Sequence, residues 1–285
     1  MGLAGSLFES PLAATIAALT EADERNRFYS LYGVTSELGT VIGIQIGVLL
    51  LAFTFQFVAL GAACCFLVAG LASLLFLPSI RIAVDTKRTR PTEGIRLALR
   101  DRRFMAFSAL LMGFWFMWVQ LTISLPLAVK AIGGTDATLS LVYGLNSGVS
   151  VLLGYPLLRL AERRFGSFAL LPAGLLLMAF GFGSLAFAHT VPVLLCCVLF
   201  VTLGTLLVML TQRTVAAKLA HPAWLGTFLG VNSLALAFGG GLGNYAGGLL
   251  YDLGRQLHNS ALAWLVICGV GLVSAAGLGI LFRRR

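Results

Sequence analysis

The chain has 285 residues, of which 59% are hydrophobic and 11% are charged, and it contains 33 glycines. A soluble domain of this length could not cover so much apolar surface, and several apolar stretches approach the roughly 20 residues that cross a bilayer. The composition therefore excludes an ordinary soluble domain and predicts an all-α polytopic membrane protein. The net charge of +9 is spread over several loops, whereas nucleic-acid binding would need it on one soluble face, so no nucleic-acid partner is expected.

Eight apolar stretches have the length of membrane spans, and a shorter stretch at 3–19 makes a partial ninth. Helices are predicted rather than barrel strands because the apolar runs are continuous and do not alternate with polar residues. The eight spans are predicted at about 30–52, 55–77, 104–129, 138–158, 166–188, 191–212, 225–251 and 261–281.

A segment near the start of the chain recurs 200 residues later, FYSLYGVTSELGTVIGIQIGVLLL against FLGVNSLALAFGGGLGNYAGGLLY. So long a period is far above the roughly 20 to 50 residues of a solenoid unit and predicts a duplicated half-protein. The matched glycines recur every fourth residue, a spacing that favours close approach of two helices. We expect a helix-packing or gating role for Gly39, Gly43, Gly47, Gly239, Gly243 and Gly247.

The longest polar segment, 78–103, is predicted to be a basic linker between the two halves. Residues 1–77 are then the C-terminal part of a first bundle (partial helix 4, helices 5 and 6), and 104–285 are a complete second bundle (helices 7 to 12). The same period predicts that the first bundle is incomplete and that three spans are missing from this sequence. Repeats of this kind are a transporter plan, with the substrate site between the halves.

Basic residues are sorted to one side of the predicted membrane. Of the 20 lysines and arginines, only Lys130 and Arg255 fall on the other side. By the positive-inside rule, the linker and the C-terminus are predicted to be cytoplasmic.

The loop YPLLRLAERRFG carries the most specific resemblance. It is similar to the second-half copy of the G-x-L-x-D-R-x-G-R-R loop of the major facilitator superfamily, with Glu162 in place of Asp. The matching positions are Arg159, Glu162, Arg163, Arg164 and Gly166. EGIRLALRDRRF, VQLTISLPL and GGLLYDLGRQLH resemble the multidrug resistance transporters of that superfamily.

The resemblance implies a major facilitator fold and secondary active transport, with proton-coupled efflux of lipophilic or cationic drugs across a bacterial inner membrane. The partners implied are a small-molecule substrate, protons and the lipid bilayer, with no obligate protein partner. Two alternatives stay open: a transporter of one specific metabolite, and a non-transporting fragment that acts only as a membrane partner. Antiporters of the family tend to carry a proline within the glycine ladder, and this chain has none there.

Two carboxylates fall within predicted spans, Glu9 and Glu37. A buried carboxylate costs roughly 2.5 to 3.5 kcal/mol at a helix centre, so it normally faces a bundle interior or a watery cavity. We interpret both as proton-coupling candidates; the alternative is a carboxylate hydrogen-bonded to a neighbouring helix or reaching the cytoplasmic surface.

Polar and aromatic residues of helices 7, 8 and 10 are substrate-cavity candidates because the family's cavity is lined by these helices. They are Trp115, Trp118, Gln120, Tyr143, Asn146, Met209 and Gln212. Ring faces and thioethers suit bulky lipophilic cations. Lipid-facing or core side chains would look the same in sequence.

No catalytic or metal-binding pattern accompanies these residues. The five cysteines fall in apolar spans without metal-ligand spacing, and no hydrolase motif is present. The sequence therefore predicts no enzyme activity, no cofactor and no metal.

Overall fold

The computed structural model describes residues 55–76, 91–257, 259 and 261–283, together with seven single positions between 28 and 46. Every regular element within these residues is helical. We number the helices from Phe55. They are α1 (Phe55–Phe76), α2 (Pro91–Arg100), α3 (Arg102–Val119), α4 (Ser124–Ala131), α5 (Asp136–Arg164), α6 (Ser167–Ser184), α7 (Val191–Leu219), α8 (Leu225–Gln256) and α9 (Ala261–Arg283), with 3₁₀ turns at Leu185–Phe187 and Pro222–Trp224.

Six segments of the described chain are long and apolar enough to cross a membrane. They are Arg102–Ala131, Ala137–Gly154, Ser167–Phe187, Val191–Leu219, Leu225–Gln256 and Ala261–Arg283. Each coincides with one of the predicted spans of helices 7 to 12. The predicted all-α polytopic architecture is confirmed.

The span predicted at 104–129 is interrupted. Helix α3 ends at Val119 and α4 begins at Ser124, with turns between them. Pro126 lies in the first turn of α4. A proline removes the hydrogen bond to the carbonyl four residues earlier and its ring clashes with that carbonyl, here that of Thr122. The helix is therefore broken before the proline and restarts with it in its first turn, where proline is tolerated.

The core of the bundle lies where α6 packs between α7 and α9. Met178, Phe182, Val201 and Ile267 are completely buried there. Glycine permits the close α6–α7 contact: a Cβ on Gly204 would lie 2.5 Å from the Met178 backbone nitrogen. Small residues at such a contact let two backbones approach, and dispersion forces and tight packing then stabilise the pair.

Helices α3 and α8 form a second close contact, which we call the α3–α8 interface. Phe104 meets Phe228 with ring centroids 4.7 Å apart. Further along, the Ser108 hydroxyl donates to the Asn232 side-chain oxygen at 3.1 Å. The contacts advance in the same direction along both helices, so α3 and α8 run parallel. This is expected, because they belong to the first and the fifth of the six spans and successive spans alternate in direction.

Helix α5 is the least enclosed of the six spans. Of residues 137–154, 17% are buried, against 50% for the corresponding stretch of the α3–α4 span. Its main neighbour is α7. Leu152 is 73% exposed, so most of the α5 surface is left for lipid or for other parts of the protein.

Candidate functional site

Gln120 lies at the break between α3 and α4 and is completely buried. Its amide nitrogen donates to the Gly243 carbonyl at 2.9 Å and to the Phe116 carbonyl at 3.2 Å. Its oxygen accepts from the Ser124 hydroxyl at 2.6 Å. One side chain therefore ties the end of α3, the start of α4 and the middle of α8 together.

The second set of regularly spaced glycines, Gly239, Gly243 and Gly247 of α8, lies against α3 at this point. A Cβ on Gly243 would lie 2.8 Å from the Phe116 carbonyl oxygen, and one on Gly247 would lie 2.7 Å from the Gln120 side-chain oxygen. One on Gly239 would overlap the backbone of Met112. A larger residue at Gly239 or Gly243 would meet the α3 backbone and force the two helices apart, whereas one at Gly247 would displace the Gln120 side chain.

Aromatic side chains of α3 and α5 lie near the break. Trp115 and Trp118 meet edge to face with centroids 5.6 Å apart, and Trp115 also contacts Phe114 at 5.0 Å. The Tyr143 hydroxyl of α5 donates to the Leu121 carbonyl at 3.3 Å. Trp115, Trp118 and Tyr143 are all half-buried, so each keeps part of its ring accessible.

The remaining cavity candidates lie in separate pairs. The Asn146 amide of α5 donates to the Thr202 hydroxyl of α7 at 3.0 Å, and that hydroxyl donates to the Val198 carbonyl. Gln212 is buried and its amide meets the Met209 sulfur at 3.4 Å. The structure thus pairs Trp115 with Trp118 on α3, places the Tyr143 hydroxyl on the Leu121 carbonyl, and joins α5 to α7 through Asn146.

Comparison with known proteins identifies the family. The sequence matches the profile described as Major Facilitator Superfamily over residues 1–244. The Multidrug resistance protein MdtH of Yersinia pestis (strain Pestoides F) is 37% identical over 287 residues, which covers 100% of this chain and 70% of that protein. The protein of the same name from Yersinia pseudotuberculosis serotype O:1b (strain IP 31758) gives the same identity and coverage.

The chain belongs to the major facilitator superfamily. It is accordingly a multi-pass membrane transporter, and the resemblance seen in the sequence is confirmed. In the helix numbering predicted from the sequence, the α3–α4 span is the predicted helix 7, α5 the predicted helix 8, α7 the predicted helix 10 and α8 the predicted helix 11.

The superfamily loop motif joins α5 to α6. Arg159, Glu162 and Arg163 lie on the last turns of α5, and their side chains are outside the described part of the structure. Arg164 and Gly166 are exposed, and Gly166 precedes the first residue of α6. The ammonium group of Lys218, near the end of α7, donates to the Ser167 hydroxyl at 3.3 Å and lies 5.8 Å from the centre of the Phe168 ring. The end of α7 is therefore attached to the start of α6.

Several predicted residues lie outside the described chain or remain apart. Glu9, Glu37 and Gly47 are not among the described residues. A Cβ on Gly39 or on Gly43 would meet nothing within 4 Å of the described structure. Among the described residues, no group of three His, Cys, Asp or Glu side chains could hold a metal ion.

Three hydroxyl residues at these contacts were not singled out from the sequence: Ser108, Ser124 and Thr202. All three are buried. Ser124 lies four residues after Gln120, a spacing that brings side chains together on one helix face, so its pairing had a local signal. Ser108 and Thr202 meet partners 124 and 56 residues away, and no local pattern reports such contacts.

Proposed function

We propose that this chain works as a proton-coupled exporter of lipophilic or cationic drugs in a bacterial inner membrane, by alternating access. The observation that carries the proposal is the 37% identity, along the whole chain, to proteins named for multidrug resistance. Relatives that share the sequence from the first residue to the last share the helices that would form the substrate path.

The aromatic group at the break supports a lipophilic cation as substrate. Trp115 and Trp118 meet edge to face on α3, and the half-buried Tyr143 contacts the end of that helix from α5. A cation within about 6 Å of a ring face gains roughly 0.5 to 2 kcal/mol, the larger value when water is excluded. Such a surface selects charge and bulk rather than one hydrogen-bonding pattern, as a multidrug carrier requires.

Gln120 is better placed as a structural residue than as a substrate contact. Its amide is completely buried and fully used by Phe116, Gly243 and Ser124. We propose that Gly239, Gly243 and Gly247, with Gln120, set the distance between α3 and α8 while the half-buried aromatic residues meet the substrate.

The proposed coupling residues are Glu9 and Glu37. Proteoliposomes containing the protein and a fluorescent lipophilic cation would be given a pH gradient, and dye movement followed. Glu9→Gln and Glu37→Gln keep the shape of the side chain but cannot carry a proton. At least one should abolish gradient-driven movement while dye binding persists. Normal transport by both variants would remove the carboxylates from the mechanism, and no dye movement by the unmodified chain would favour the alternative of a non-transporting fragment.

The proposed orientation puts the linker and the C-terminus in the cytoplasm. Single cysteines at Thr92 and Asp136, in a background without the native cysteines, would be exposed to a membrane-impermeant thiol reagent in spheroplasts. The cysteine at position 136 should be labelled and that at 92 protected. The reverse pattern would show that the charge argument fails for this chain.

A further inference from the structure

Helix α2 lies within the predicted linker, and its faces differ in burial: one packs on the bundle and the others are exposed. Gly94 and Ala98 are buried one turn apart. Gly94 lies directly beneath the Trp224 ring, and Ala98 packs in a cluster with Phe104 and Phe228. The small residues thus attach α2 to the ends of α3 and α8 at one end of the bundle.

The next two rows around α2 are exposed and differ in chemistry. Ile95 and Leu99, each one residue after the attached row, are 45% and 53% exposed. Arg96 and Arg100, one residue further round, are exposed as well. A turn of 3.6 residues therefore presents bundle contact, then an apolar ridge, then a basic ridge, in sequence around the helix.

The apolar ridge has no protein cover among the described residues, although burial of large aliphatic side chains away from water is favourable. Helix α2 ends at Arg100, and the membrane span that contains α3 begins two residues later, at Arg102. A ridge attached to the end of a span lies at the level of the lipid headgroups. An amphipathic helix with basic residues beside its apolar face is typical of that level.

Positive charge beyond the basic ridge has no anionic partner among the described residues. In the first turn of α3, the Arg103 nitrogens Nε and Nη2 are buried and make no hydrogen bond within the described chain. The neighbouring Asp101 carboxylate accepts from the backbone N–H groups of residues 103 and 104 as the helix cap. Buried polar atoms without a hydrogen bond are costly, and a phosphate at this end of the bundle would supply an acceptor for them.

We propose that α2 is a binding element for anionic phospholipid, with Ile95 and Leu99 among the acyl chains and Arg96 and Arg100 on headgroup phosphates. Juxtamembrane lysines and arginines are attracted to an anionic membrane surface. Leu97 lies on the opposite side of α2, next to Glu93, and is 41% exposed. It is the matched control, since it has the same side chain as Leu99 and similar exposure but lies on the opposite face of the helix.

The test uses the full chain without its native cysteines, carrying one nitroxide at position 95, 97 or 99. Each protein is reconstituted in phosphatidylcholine vesicles with or without phosphatidylglycerol. The collision rates of the nitroxide with oxygen and with a water-soluble nickel complex are measured. We expect the oxygen-to-nickel ratio to be several-fold higher at 95 and 99 than at 97, and to rise at 99 when phosphatidylglycerol is added.

Charge variants then separate lipid binding from simple burial. Arg96→Gln with Arg100→Gln should remove the response to phosphatidylglycerol, and the double lysine variant should restore it. Arg283→Gln, at the end of α9, removes an exposed charge elsewhere and should leave the response intact. Equal ratios at 97 and 99, a nickel-favoured signal at 99, or a lipid response that survives the double glutamine variant would each overturn the proposal.

Discussion

Replacement of Gln120 by leucine is the most direct test of how the α3–α8 interface is stabilised. Leucine has a similar size, so the change removes hydrogen bonds without opening a large cavity. Three bonds are lost, two donated to Phe116 and Gly243 and one accepted from Ser124. Side-chain hydrogen bonds between membrane helices average about 0.6 kcal/mol. We therefore expect Gln120→Leu to lower the free energy of unfolding by about 2 kcal/mol, roughly a 30-fold change in the equilibrium.

The matched control is Gln212→Leu. Gln212 is also buried in a membrane helix, but the partner of its amide in the described chain is the weakly accepting Met209 sulfur. Its loss should cost less than about 0.6 kcal/mol. Unfolding free energies would be measured by steric trapping in bicelles, where the folded protein stays in a bilayer. If the two leucine variants lose the same stability, the hydrogen bonds of Gln120 do not stabilise the interface and the reasoning is wrong.

Two further substitutions test close contacts, and each has its own readout. Gly243→Ala should destabilise the protein by about 1–3 kcal/mol through overpacking against α3. The control is Gly241→Ala, whose Cβ would meet nothing within 4 Å and which should be neutral or stabilising in the same assay. Equal losses of stability at both positions would contradict the packing geometry. Gly94→Ala should lift α2 away from Trp224. In a protein whose only tryptophan is Trp224, the tryptophan fluorescence emission should therefore shift to longer wavelength. An unchanged spectrum would show that α2 does not cover the ring.

The positions of the spans could be predicted because membrane insertion is governed by local composition. Long apolar runs bounded by charge give the same six segments in sequence and structure. The break in the α3–α4 span was not predicted, although Pro126 marks it. Hydropathy stays high across Thr122 and Ser124, and a proline does not always interrupt a helix: α5 continues through Pro156.

The candidate site was predicted less completely because its contacts join distant parts of the chain. The four-residue spacing of the glycines indicated a packing face but could not say that α3 would lie against it. Gln120 was predicted to line a cavity, and the structure instead buries it against Gly243. Whether a polar residue faces a cavity or a neighbouring helix depends on the rotation of the helix, which small differences in packing decide.

The thin attachment of α5 has a practical consequence for handling the protein. Since 17% of residues 137–154 are buried, much of the surface of this helix meets the surroundings of the bundle rather than other helices. Extraction into a short-chain detergent replaces those surroundings, whereas the glycine-packed α6–α7 pair carries its own contacts with it. Amide hydrogen exchange should therefore rise in α5 before it rises in α6 or α7, and a preparation can lose the Tyr143 and Asn146 contacts while still giving a symmetrical gel-filtration peak. Purification judged by that peak alone would select for solubility rather than for an intact transport path.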